Sequence, residues 1–100
     1  MANSEPREYE LVYILQPEMD EQGVLSFNER VSQLVASQSG SVSTTELWGR
    51  RGLAYPIGKH FEGHYVLHRF TMPPEGAGEV DRLLRLNENV VRYLLIRTDE

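Results

Sequence analysis

Two hydrophobic periods divide the chain. Over Glu8–Gln16 (EYELVYILQ) the residues are β-branched, aromatic and alternating. Tyr9, Leu11, Tyr13 and Leu15 fall on one side, and Glu10, Val12 and Ile14 on the other, the two-residue repeat of a strand. Both sides are largely apolar, which predicts a central strand, and Pro17 ends it. The period then lengthens. Val24, Phe27, Val31, Leu34 and Val35 form a stripe of helical spacing. Asp20 is placed to cap a helix running to about Ser39, and Gly40 stands where a glycine commonly closes one.

Alternation returns at Ser41–Pro56 (SVSTTELWGRRGLAYP), a long strand whose Gly49 and Gly52 predict a bulge or bend. Gly58–Gly63 reads as a hairpin loop and His64–Met72 as the next strand. Pro73 and Pro74 introduce a short helix over about Glu75–Leu86, with Val80, Leu83 and Leu84 inward. Asn87 and Asn89 make a turn before the last strand, Val90–Arg97. The order β-α-β-β-α-β predicts an α+β, ferredoxin-like domain over residues 7–98. It would hold a four-stranded antiparallel sheet with two helices on one face, and residues 1–6 would form a flexible arm. The other face would be bare, although three of the strands carry apolar or aromatic residues at both parities. Such a face calls for a partner, or for bulges that turn those residues inward.

Composition narrows the chemistry. With 100 residues the chain is one domain, and without Cys it has no disulfide, thiolate metal site or cysteine nucleophile. No apolar run approaches the roughly 20 residues of a membrane span, and no secretory segment opens the chain. The net charge of −5 argues at first sight against a nucleic-acid partner. Its distribution argues otherwise. Residues 1–48 carry a net −6, whereas residues 49–97 carry a net +3 with eight of the ten basic side chains, and nine of those ten are Arg. Arginine presents a rigid fork of donors that fits phosphate. Arg50 and Arg51 stand together between Gly49 and Gly52, which thin the chain around them.

No catalytic constellation stands out. His60, His64 and His68 are four apart, but on a strand His64 and His68 would lie about 13 Å apart at roughly 3.3 Å per residue, too far to share a metal easily. Neither a phosphate-binding glycine loop nor a nucleophile elbow is present. The segment Gln16–Asp20 holds two acids and no Gly, unsuited to cradling an acyl phosphate. We therefore expect no enzymatic activity, cofactor, metal, membrane contact or small-molecule substrate.

Three stretches resemble one family. Arg7–Glu10 followed by Leu11–Leu15 and Pro17, the string Trp48–Ile57 (WGRRGLAYPI) with Lys59 and Tyr65, and Leu84–Leu94 (LRLNENVVRYL) resemble, in order, the bacterial small-subunit ribosomal protein S six family. Together they cover residues 7–97, and the middle string is the most specific. The resemblance implies a non-enzymatic protein of the small ribosomal subunit, in the cytoplasm or in an organelle of bacterial descent. It implies binding to the central domain of small-subunit ribosomal RNA together with the ribosomal protein S eighteen. On this reading Arg7, Arg50, Arg51, Lys59, Arg92 and Arg97 are the expected RNA or partner contacts, while Trp48, Tyr55 and Tyr65 are open to stacking or packing. A cross-strand ion pair of Arg51 with Glu46 or Glu62 is the competing role for that arginine. The alternative function is a ferredoxin-like regulatory or ligand-binding domain that dimerises through its sheet.

Overall fold

The computed structural model describes residues 5–98. Residues 1–4 of the expected arm lie outside the described residues; Glu5 and Pro6 are exposed. The elements are β1 (Arg7–Leu15), α1 (Glu21–Ser37), β2 (Ser41–Ile57), β3 (His60–Met72), a 3-10 turn (Pro74–Gly76), α2 (Ala77–Leu86) and β4 (Val90–Arg97). They form one antiparallel sheet in the order β2-β3-β1-β4, the ferredoxin-like arrangement that the element order predicts.

One side of the sheet meets the helices. Tyr9, Leu11, Tyr13 and Leu15 of β1 and Val66, Phe70 and Met72 of β3 pack against Val24, Phe27, Val31 and Val35 of α1 and Val80 and Leu84 of α2. Within that layer Tyr9 stacks on Phe70, and Tyr13 meets Phe27 edge-on. No helix among the described residues is long and apolar enough to cross a membrane.

The boundaries differ from the sequence reading where packing intervenes. The expected Gly58–Gly63 loop is a two-residue turn, since Ile57 already pairs with His60. Gly58 supplies the positive φ (60°) that a tight hairpin turn needs at its first central position. Gly63 is instead a strand residue pressed on β1, where a Cβ would lie 2.4 Å from Ile14 Cγ2. At the end of α1 the left-handed residue is Ser39 (φ 66°), not Gly40. Gly40 is required for space, because a Cβ there would lie 2.5 Å from the Thr71 carbonyl oxygen. The helix accordingly ends at Ser37, two residues early, and a separate 3-10 turn precedes α2.

The register of β2 against β3 shifts three times, between Val42 and Thr44, between Leu47 and Gly49, and between Gly52 and Ile57. Each shift inserts residues into β2. The second carries Gly49 at φ 84°, the backbone of a glycine bulge. Pro56 sits inside the third, where a missing ladder donor costs nothing.

Candidate nucleic-acid and partner interface

The bulges determine which side each β2 residue serves. Leu47 opposes Val66 on the helix side, and Gly49 opposes Tyr65 on the open side. Trp48 is the inserted residue, and its ring stacks on Tyr65 at 6.4 Å. From Gly49 alternation resumes, so Arg50 opposite His64 and Arg51 opposite Gly63 point to opposite sides. The Arg51 guanidinium lies 5.5 Å from the Trp48 ring centroid, and its Nε donates to the Trp48 carbonyl at 3.2 Å. The result is a layered Arg51–Trp48–Tyr65 column on the open face.

The ion pairs are not those expected for Arg51. Arg50, not Arg51, pairs with Glu62, and Glu46 pairs with Arg69 at 3.1 Å. Arg69 also binds Glu10 at 3.0 Å, so one guanidinium ties β1, β2 and β3 together. The Trp48 indole N–H donates to Glu46 at 3.0 Å and, with Arg69, holds that carboxyl below its ordinary range. This network leaves Arg51 stacked with its charge outward. It escaped the sequence reading because the pairing of Arg69 with Glu46 depends on the first bulge.

The third bulge brings Tyr55 to β4. Arg92 donates from Nη1 to the Tyr55 hydroxyl at 2.5 Å, and its guanidinium lies 5.7 Å from the centre of that ring. Arg92 therefore joins the hairpin end of the molecule. Lys59 occupies the tight turn of that hairpin and makes no ion pair or side-chain hydrogen bond among the described residues.

Arg7 and Arg97 sit elsewhere. Arg97 pairs with Tyr9, whereas Arg92 pairs with Ile14, a separation of about 17 Å along the sheet at 3.3 Å per residue. The six expected residues thus divide into two groups: Arg50, Arg51, Lys59 and Arg92 at the hairpin end, and Arg7 and Arg97 at the other. Arg7 lies 3.8 Å from Glu5, and its Nε is buried with no hydrogen-bond partner.

The open face is partly covered. Leu67 and Ile14 are only 3% and 8% exposed, whereas Leu94 and Ile96 of β4 stand out at 58% and 42%. Two of the three histidines, His64 and His68, serve the fold. His64 Nε2 donates to the Met19 carbonyl at 2.9 Å. His68 is fully buried, with Nε2 on the Tyr13 hydroxyl (2.7 Å) and Nδ1 on Thr45 Oγ1 (2.9 Å). No cluster of metal-ligating side chains occurs among the described residues.

The profile of Ribosomal protein S6 matches residues 8–97. The chain belongs to the ribosomal protein S6 family. It is 40% identical over 94 residues to small ribosomal subunit protein bS6 of Caldanaerobacter subterraneus, spanning 94% of this chain and 99% of that protein. It is 43% identical to that of Carboxydothermus hydrogenoformans, spanning 94% and 98%. The crystal structure of 30S ribosomal protein S6 from Thermotoga maritima superimposes with a TM-score of 0.89 at 26% identity, covering 94% of this chain and 89% of that one. Membership places the chain in the small ribosomal subunit of the cytoplasm as a structural, non-enzymatic component. The regulatory, dimerising alternative is not favoured by these matches.

Proposed function

We propose that this S6 protein binds the central domain of small-subunit ribosomal RNA together with the ribosomal protein S eighteen. Arg50, Arg51, Lys59 and Arg92 make the main RNA contact. The observation that carries this reading is the gathering of these four cations beside exposed Trp48 and Tyr55 at one end of the sheet. Arg51 and Arg92 are held on aromatic rings, so little side-chain freedom remains to be lost on binding phosphate. Such contacts position the protein without reading base sequence. Arg7 and Arg97 form a second, smaller contact at the opposite end of the sheet. The exposed Leu94 and Ile96 on the edge strand β4 form the apolar part of the surface for S eighteen.

The test is Arg50→Glu with Arg51→Glu, measured by binding to a central-domain RNA fragment with S eighteen present. Loss of two charge-assisted contacts predicts a fall of roughly a hundredfold or more. Thermal stability should change by less than about 1 kcal/mol, because the Arg50–Glu62 pair is a surface one. Unchanged RNA affinity would remove the hairpin-end assignment.

A further inference from the structure

We propose that Phe61, at the tip of the β2–β3 hairpin, is a stacking platform for an unpaired base of the bound RNA. This rests on the reading of Arg50, Arg51 and Lys59 as RNA contacts and adds a residue with no charge of its own. Phe61 is 70% exposed, while Phe27 and Phe70 are buried at 6% and 2%. Among the described residues no other large apolar side chain stands further out. Its ring makes no aromatic or cation contact among the described residues, whereas Trp48, Tyr55 and Tyr65 at the same end each hold one. The ring stands open to solvent.

The surroundings favour a nucleobase over an apolar protein anchor. A cleft of about 340 Å3 opens beside the ring between Pro17, Arg50, Lys59 and His60, with Glu18 and Glu62 also on its wall. No second exposed aliphatic or aromatic side chain borders it, so it offers no continuous greasy patch for a protein partner to bury. Glu62 is already paired with Arg50. The Glu18 carboxylate repels a phosphate but accepts hydrogen bonds from a base amino group. The base therefore enters the cleft edge against the ring, and its phosphate lies toward Lys59, which is free to meet it. Stacking of this kind is tolerant of base identity, because every base has a π-face.

The experiment compares Phe61→Ala, Phe61→Leu and Phe61→Trp in the full chain, using the same RNA fragment and S eighteen across a salt series. Phe61→Ala should weaken RNA binding about tenfold, within the range for loss of one stacked base. Phe61→Leu should weaken it nearly as much, and Phe61→Trp should preserve or strengthen it. The salt dependence should stay as in the unaltered chain, since no charge changes. The exposure of Phe61 predicts unaltered melting temperatures, so each variant reports on binding. Wild-type affinity in Phe61→Ala would overturn the proposal. So would full rescue by leucine, or an equal loss of S eighteen binding without RNA, either of which marks an apolar protein anchor. Weakened binding in the Arg50/Arg51 double variant beside normal binding in Phe61→Ala would remove the stacking role alone. Normal binding in both would remove the RNA reading of the hairpin as well.

Discussion

At neutral pH the imidazole of His68 is uncharged, because burial removes the water a charge would need and pushes its pKa from 6.5 down to about 4. Its neighbours leave it no countercharge. β1 presents Tyr13, α1 presents Asn28 and β2 presents Thr45, and the only titratable group among these is the Tyr13 hydroxyl, which burial keeps protonated. That hydroxyl donates to Asn28 Oδ1 at 2.5 Å, so the four side chains form one hydrogen-bonded run through the core. The unfolded chain binds a proton on His68 below about pH 6.5, and the folded chain resists until about pH 4. Stability from this group is therefore complete above pH 6.5 and is lost as pH falls through that window, by about 3 kcal/mol in all. Urea unfolding from pH 7.5 to 4 should show this loss, and His68→Gln should remove it from the pH profile, whatever its effect at neutral pH. Parallel profiles would assign the acid sensitivity to other groups. The sequence reading weighed His68 as a metal ligand, since the register that sets it against Tyr13 and Thr45 belongs to pairings 55 and 23 residues apart.

Element ends show how far local signals reach. The start of α1 was legible: Asp20 Oδ1 accepts the Gly23 N–H at 2.8 Å, and the helix opens at Glu21. Asp20→Ala should cost about 1 kcal/mol of stability, read from a urea midpoint with unchanged slope. A shift below a few tenths would mean that the cap is made up elsewhere. The other end of the helix was not legible, because two unrelated demands fall on Ser39 and Gly40. The backbone turns left-handed at Ser39, while Gly40 is needed for its proximity to Thr71, a residue of another strand. The hairpin repeats the lesson. Gly58 and Gly63 look equivalent as loop boundaries, but one makes the turn and the other fits against Ile14. The order of strands and helices, in contrast, follows from hydrophobic period alone, which no single close contact can overrule.

Across the whole molecule, the charge asymmetry along the chain becomes a spatial one only in part. Four cations of the basic half gather at the hairpin end, but Arg69 is consumed by Glu10 and Glu46, and Arg85 lies 3.5 Å from Asp81. Arg7 and Arg97 face a different end, a division that needs the strand register and cannot be read from composition. If the hairpin group neutralises four phosphates, the logarithm of RNA affinity should fall against the logarithm of salt with a slope between about −3 and −4. A filter-binding series from low to moderate salt measures it, and a slope near −1 would contradict a four-cation contact. The net charge of −5 limits indiscriminate coating of RNA without opposing such a local site.

The bulge at Trp48 and Gly49 has a consequence for how this surface can vary. One inserted residue sets the parity of everything after it until the next shift, so Arg51 reaches the open face and Arg50 the helix side. Straightening the bulge while keeping every residue would set Trp48 opposite Tyr65 and Arg50 opposite Gly63, exchanging the two arginines between sides while leaving net charge and basic content unaltered. Each face receives one arginine in either arrangement, and the bulge decides that the open-face one is Arg51, stacked on Trp48. The bulge that precedes that pair is as much a part of the binding site as the arginines themselves.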